Sequence, residues 1–173
     1  DTLELQKILN DFSSNNRGPS YIRLTGVPGS KIVYENDFNY KYGEPKILSK
    51  GKKLLVLSSG AVTGEVKIAV RKLNDKGKSV CLININQLKP FNKKIFALMK
   101  KFEKIITIEE HSIIGGLNSI ISEELSKSQK KNKLGSISLP DSFGPTGDYK
   151  FLMDFHSLNS EKIYNKILNF ISR

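Results

Sequence analysis

The residues of this chain best suited to chemistry stand together at Glu109-Glu110-His111-Ser112-Ile113-Ile114-Gly115-Gly116-Leu117-Asn118. Two carboxylates and an imidazole are groups that move protons in acid–base catalysis or ligate a divalent metal. The run follows Ile105-Ile106-Thr107-Ile108, so it falls at the carboxyl end of an expected strand, where open α/β sheets place their ligands. Successive side chains of an extended segment project to opposite sides. Glu109, Glu110 and His111 therefore need a sharp bend to converge on one ion, and the pattern argues against a metal site. His111 reads either as a residue at a subunit or active-site boundary or as an ordinary hydrogen-bonded loop histidine. Gly115 and Gly116 let a helix begin close against the backbone, and free N–H groups there would suit an anion. As a phosphate signal, two adjacent glycines are weak.

Other motifs read more plainly. Thr25-Gly26-Val27-Pro28-Gly29-Ser30-Lys31 superficially resembles a P-loop, but the Gly-Lys-Ser/Thr ending is missing and no helix pattern follows. Ser58-Ser59-Gly60 lacks the full dinucleotide pattern and suits a tight strand-to-helix turn. Cys81 lies inside an apolar strand and reads as core. His156 has no evident catalytic partner. Phe38, Tyr40 and Tyr42 alternate at period two, which fits a packed linker or edge strand better than a base-stacking platform.

The net charge of +11 invites a nucleic-acid reading. Residues 43–104 carry fifteen basic and four acidic groups, whereas the flanking stretches are balanced. Only four of the 28 basic residues are Arg, the side chain that specific phosphate and base recognition favours. Lys93 and Lys100, and Lys94 and Lys101, are spaced two helical turns apart, with Lys104 one turn on, as on a helix surface. A solvated basic face is the expectation, and nucleic acid is not expected as a partner.

The elements that must hold these residues follow from periodicity. Leu5, Ile8, Leu9 and Phe12 predict a short helix, broken by Ser13-Ser14-Asn15-Asn16-Arg17-Gly18-Pro19. Tyr21-Ile22-Arg23-Leu24 reads as a strand, and residues 25–45 as a linker. Ile47-Leu48, Leu54-Leu55-Val56-Leu57, Val80-Cys81-Leu82-Ile83, Ile105-Ile106-Thr107-Ile108 and the weaker Ile137/Leu139 segment read as strands. Between them lie helical faces at Val62, Val66, Ala69, Val70 and Leu73, stopped by Gly77; at Ile95, Phe96, Leu98, Met99 and Phe102, with Asn92 as N-cap; and at Leu117, Ile120, Ile121 and Leu125. A last helix carries Ile163, Ile167, Phe170 and Ile171. Strands alternating with helices imply parallel pairing through right-handed crossovers, and near-continuous apolar strands imply a sheet covered on both faces. The expected fold is α/β: a three-layer α/β/α domain over residues 44–173, preceded by residues 1–43 as the tail of another domain. No apolar run reaches the ~18 residues of a membrane span. The start lacks a secretory pattern, and the single cysteine excludes an internal disulfide, so no membrane and a cytoplasmic setting are expected.

Four segments in order then carry a family likeness: Gly18-Pro19-Ser20-Tyr21-Ile22-Arg23-Leu24; Ile85-Asn86-Gln87-Leu88-Lys89-Pro90-Phe91-Asn92; Thr107-Ile108-Glu109-Glu110-His111 with Gly115-Gly116-Leu117-Asn118-Ser119; and Asp141-Ser142-Phe143-Gly144-Pro145-Thr146-Gly147. The sequence resembles the C-terminal part of transketolase-family thiamine-diphosphate enzymes, which include transketolase, deoxyxylulose-phosphate synthase and the β subunits of 2-oxoacid dehydrogenases. The resemblance implies a small, mostly parallel five-stranded mixed sheet, with Lys46 to Ser49 as the antiparallel strand. It implies a parent enzyme that transfers a two-carbon ketol unit with thiamine diphosphate and Mg, and an excised domain or split subunit that is inactive alone. The Gly-Asp-Gly metal motif and the activating glutamate of such enzymes are not in this chain, so no catalytic, cofactor-binding or metal residue is assigned and no cofactor is expected on it. Glu109, Glu110, His111, Gly115, Gly116 and Asn118 become candidate rim or interface residues. The implied partners are upstream domains or an N-terminal transketolase subunit, and a second copy in a homodimer. One departure stands out: Gly26 occupies the position where many relatives carry a phosphate-binding Arg, which puts the usual phosphosugar in doubt. Readings left beside this are the same domain from a deoxyxylulose-phosphate synthase or a 2-oxoacid dehydrogenase β subunit, and a basic-surface binding or regulatory module.

Overall fold

The computed structural model describes residues 1–15, 17–26 and 31–172. Leu54, Leu55, Val56 and Leu57 are fully buried, because the strand they form has a layer of helices on each side. The sheet comprises β1 (Lys46–Ser49), β2 (Leu54–Ser59), β3 (Val80–Asn84), β4 (Lys104–Ser112) and β5 (Lys133–Leu139), in the spatial order β1-β3-β2-β4-β5. β1 runs antiparallel to β3 with a register shift between Ile47 and Ser49, and the remaining pairs are parallel. The expected mixed five-stranded α/β/α sheet is therefore present.

Alternation along each strand divides the core in two. Leu54, Val56, Val80, Leu82, Ile106 and Ile108 face α2 (Thr63–Asp75) and α6 (Ser160–Ser172). Leu55, Leu57, Cys81, Ile83 and Ile105 face α3 (Lys94–Met99) and α4 (Leu117–Ser126). At Gly77, φ +72° ends α2, with the Gly77 N–H donating to the Asn74 carbonyl and the Lys78 N–H to that of Leu73. That pair of bonds satisfies two of the last carbonyls of the helix in a Schellman turn. A short α5 (Tyr149–Phe155) bridges β5 to α6, its first turn capped by the Asp148 side chain. Among the described residues no helix is long and apolar enough to cross a membrane.

Several expectations are corrected. Tyr21-Ile22-Arg23-Leu24 forms no strand: Tyr21 is 89% and Leu24 60% exposed, and neither edge of the sheet receives them. A strand exists only where another backbone completes its ladder, and among the described residues none reaches this segment. The third expected helix ends at Met99, so Lys100, Lys101 and Lys104 do not share a helix face with Lys93 and Lys94; Lys104 opens β4. Asn92 still serves that helix, its side-chain oxygen accepting the Lys94 N–H at 2.9 Å. Phe38 and Tyr42 lie in a packed linker, Phe38 stacked on Tyr34 and Tyr42 edge-on to Phe12. Of the P-loop-like stretch, residues 27–30 lie outside the described residues, as does Asn16 of the expected helix breaker.

The first helix, α1 (Thr2–Asn15), forms where its spacing predicts but runs on through Ser13-Ser14-Asn15 of the expected breaker, and its buried residue is Glu4, while Leu9 is exposed. The Asp1 carboxylate caps it, accepting the Glu4 N–H at 3.1 Å, and its other oxygen accepts the N–H groups of Val33 and Tyr34 at 2.8 Å. α1 and the following linker are thereby bound over the carboxyl ends of β2 and β3.

Candidate functional site

β4 does not stop where its apolar run stops. It continues through Glu109, Glu110 and His111 to Ser112, so the chemistry-bearing residues lie within the strand's last residues rather than beyond it. Glu109 pairs in register with Ser59 of β2. These are the two central strands from which the crossovers leave in opposite directions, the position where doubly wound sheets open a crevice.

Glu109 fills that crevice. Its side chain is inward and the residue only 2% exposed; one carboxylate oxygen accepts the Leu117 N–H at 2.7 Å and the other the Asn118 N–H at 2.8 Å. These are the leading amide groups of α4, which have no partner within the helix. A carboxylate there also meets the positive end of the helix dipole. The N–H groups that open this helix would suit an anion, and at Leu117 and Asn118 the chain supplies one itself. Gly116 follows from the same geometry, since a Cβ there would collide with the Glu109 carboxylate. Gly115 adopts φ +83° and donates its N–H to the Ser119 hydroxyl at 2.8 Å. Asn118 closes the arrangement from the helix side, its amide oxygen accepting from the Thr107 hydroxyl at 3.2 Å.

Glu110 turns the other way. It accepts a 2.7 Å hydrogen bond from the Tyr149 hydroxyl at the start of α5, and its backbone carbonyl accepts one from the Arg23 guanidinium at 3.3 Å. Burial, followed by that bond to Glu110, pushes the Tyr149 phenol far above its ordinary range. His111 is exposed, with its ring Nδ1 3.0 Å from the Ser112 carbonyl. The structure therefore holds the six candidates in one neighbourhood but separates their functions. Glu109, Gly116 and Asn118 build the start of α4, Gly115 shapes the turn into it, Glu110 anchors α5, and His111 faces solvent. Cys81 is buried, and burial raises its thiol pKa, as the core reading expects.

A second polar cluster, which the sequence motifs do not announce, lies at the carboxyl ends of β2 and β3. The Glu4 carboxylate accepts from Asn84 Nδ2 at 2.9 and 3.1 Å, from Asn86 Nδ2 at 3.1 Å and from the Tyr34 hydroxyl at 3.1 Å. Behind Asn84, its amide oxygen accepts from the Thr63 hydroxyl, which in turn pairs with Ser58 at 2.9 Å. A signal is nevertheless present: Asp1 and Glu4 continue the stripe Leu5, Ile8, Leu9, Phe12 toward the N-terminus, and acidic residues on a buried face must find donors.

A cradle for Mg and a pyrophosphate needs carboxylate or carbonyl oxygens converging on one point. Glu109 and Glu110 diverge, and each is engaged by its own donor, so these residues do not fit such a group on this chain alone. Among the described residues no cluster of three His, Cys, Asp or Glu side chains comes together.

Comparison with known proteins places this architecture. The family described as transketolase, C-terminal domain, matches residues 43–163. A transketolase C-terminal section from Methanocaldococcus jannaschii is 30% identical over 154 residues, covering 88% of this chain and 48% of that protein. The 1-deoxy-D-xylulose-5-phosphate synthase of Dictyoglomus thermophilum is 33% identical over 171 residues, covering 98% of this chain and 28% of that protein. The chain thus spans about half the length of the one relative and about a quarter of the other. Among solved structures, a split-gene transketolase in an inactive β4 tetramer superposes with a TM-score of 0.70 at 23% identity, over 83% of this chain and 46% of that one. A Pichia stipitis transketolase superposes with a TM-score of 0.55 at 14% identity, over 75% and 18% respectively. The sheet order, the match over residues 43–163 and these likenesses agree: the chain belongs to the transketolase C-terminal domain family.

Proposed function

We propose that this chain is the non-catalytic C-terminal part of a transketolase-type enzyme whose whole assembly transfers a two-carbon ketol unit using thiamine diphosphate. The observation that carries this reading is the fate of Glu109. The buried carboxylate at the crevice of the sheet is consumed as the cap of α4, so it is held away from proton transfer and instead fixes the loop of residues 112–116. That loop presents Ile113 and Ile114 to solvent, and Phe143 is fully exposed in the loop after β5 at the same end of the sheet. A rigid rim bearing exposed apolar side chains suits contact with another domain or subunit, and dimerisation belongs to the same reading. The cofactor and its Mg would be held by upstream domains or an N-terminal subunit, in a cytoplasmic enzyme. A deoxyxylulose-phosphate synthase or a 2-oxoacid dehydrogenase β subunit is the alternative parent, and Gly26, lacking a guanidinium to clamp a phosphate, leaves the usual phosphosugar in doubt for transketolase and deoxyxylulose-phosphate synthase alike.

The test is isothermal calorimetry of the purified chain with thiamine diphosphate and Mg, alongside a ketol-transfer assay. No binding and no transfer alone, with activity appearing when a thiamine-binding companion is added, is the expected result. Micromolar binding or turnover by the isolated chain overturns it.

A basic-surface function is the second reading, favoured by one arrangement. Lys50, Lys52, Lys53, Lys100, Lys101 and Lys131 are exposed in the loops at the amino ends of the parallel strands, at the far end of the sheet from Glu109. A polyanion held there would leave the rim free, and its binding would weaken steeply with salt.

A further inference from the structure

The carboxylate of Glu4 belongs to a residue only 8% exposed, and among the described residues it forms no salt bridge. The Lys67 ammonium bonds the Val33 carbonyl at 2.8 Å and Glu35 at 2.9 Å. A buried charge without a counter-ion persists only where hydrogen bonds replace its hydration. Those bonds share one direction. Because Tyr34 donates to Glu4, its hydroxyl oxygen accepts from Asn84 at 2.9 Å; farther back the Thr63 hydroxyl lies 3.5 Å from the Asn84 amide oxygen and shares a 2.9 Å hydrogen bond with Ser58 in which either hydroxyl can donate. Tyr34, Asn84 and Asn86 each point a hydrogen at the carboxylate, and the Asn84 amide also donates to the Tyr34 hydroxyl, an arrangement in which one bond polarises the next. Burial and the adjacent Glu4 charge also raise the pKa of the Tyr34 phenol, keeping it a proton donor.

We propose that Asn84, Asn86 and Tyr34 form a carboxylate-recognition site at the carboxyl ends of β2 and β3, occupied in this chain by its own Glu4. The site is independent of the rim around Glu109 and of the family reading. Its role is to fix α1, and whatever precedes it, in one orientation on the sheet by reading a negative charge rather than a shape. Its chemistry is not specific to glutamate: the atoms that Glu4→Ala removes are those of acetate, so a small monocarboxylate fits the vacated space.

The experiment is chemical rescue in the full 173-residue chain. Glu4→Ala lowers the melting temperature by about 5–10 °C, the scale for losing hydrogen bonds to a charged group in a chain of this size. Acetate or formate restores ~2–4 °C at about four times its dissociation constant, whereas chloride at equal ionic strength restores nothing. Wild type does not respond, and Asn86→Ala added to Glu4→Ala weakens the rescue. If α1 detaches without unfolding the sheet, the same pattern appears in hydrogen exchange of the Val33 and Tyr34 amides, which Asp1 holds. Glu4→Gln, which keeps the shape but not the charge, is destabilised nearly as much as Glu4→Ala. Equal stability of Glu4→Gln and wild type, or no carboxylate response by either readout, overturns the proposal.

Discussion

Replacing Glu109 by Ala tests how the β4–α4 junction is held. Two amide groups lose their acceptor. The Leu117 N–H sits where Leu117 is fully buried and cannot turn to water, so its desolvation stands uncompensated at about 1–3 kcal/mol. The Asn118 N–H is partly accessible and loses only a cap, about 1 kcal/mol. The helix dipole loses its facing charge, a further ~0.3–1 kcal/mol. Against this, removing a buried carboxylate relieves its own desolvation, but that cost is already offset in the folded protein by the bonds deleted with it. The net expectation is a loss of ~3 kcal/mol, read as a fall in melting temperature of about 6–12 °C. Glu109→Gln keeps the volume and one acceptor but turns an amino group against the second N–H, so it recovers less than half of the loss. Gly116→Ala reaches the same junction from the other side, because its methyl group displaces the carboxylate. Calorimetry or urea denaturation measures each variant, with hydrogen exchange at Leu117 and Asn118 as the local readout. Variants of Glu109 within about 0.5 kcal/mol of wild type, or more stable than it, would refute the capping account.

Other expectations are smaller in reach. Tyr149→Phe removes the 2.7 Å bond to Glu110 and is expected to cost roughly 1–2 kcal/mol, with faster proteolysis in residues 140–148 as its signature. The bond from Arg17 holds the Asp11 carboxyl below its ordinary value of 3.8, so the native state is favoured by this pair above that pH, and the contribution disappears as pH falls through the depressed value. An NMR titration of Asp11 should show the depressed midpoint, and Arg17→Ala should return it to the ordinary value. Cys81, 5% exposed and with its thiol pKa raised by burial, should react with a disulfide reagent only at the rate of unfolding; fast labelling of the native chain would contradict its placement.

The parts of the fold that can be read from sequence are those where local pattern and tertiary environment ask for the same thing. Leu54 to Leu57 and Val80 to Ile83 are apolar on both faces because both faces are covered, and Gly77 stands where a left-handed residue ends α2. The misreadings arise where the two diverge. Tyr21 to Leu24 has strand-like residues but, among the described residues, no pairing backbone, and side-chain type alone cannot supply one. β4 outlasts its apolar run because ladder bonds are made by the main chain, which is indifferent to Glu109 and Glu110 becoming polar. The position of the candidate site at a strand end is legible, and the divergence of Glu109 from Glu110 follows from strand alternation. That Glu109 caps a helix eight residues later depends on how the loop folds back, which no spacing rule encodes. Glu4 escapes notice when only the apolar members of a helical stripe are counted.

One of the two edge strands, β1, carries a consequence for behaviour at high concentration. It is four residues long, opens with Lys46, and shifts register between Ile47 and Ser49. A strand from another molecule approaching that border would meet a positive charge and an interrupted row of amide groups, so stacking of copies into extended fibrils is disfavoured there, even though Ile47 is half exposed. Replacing Lys46 with an uncharged β-branched residue would remove one of those safeguards while leaving the interior untouched.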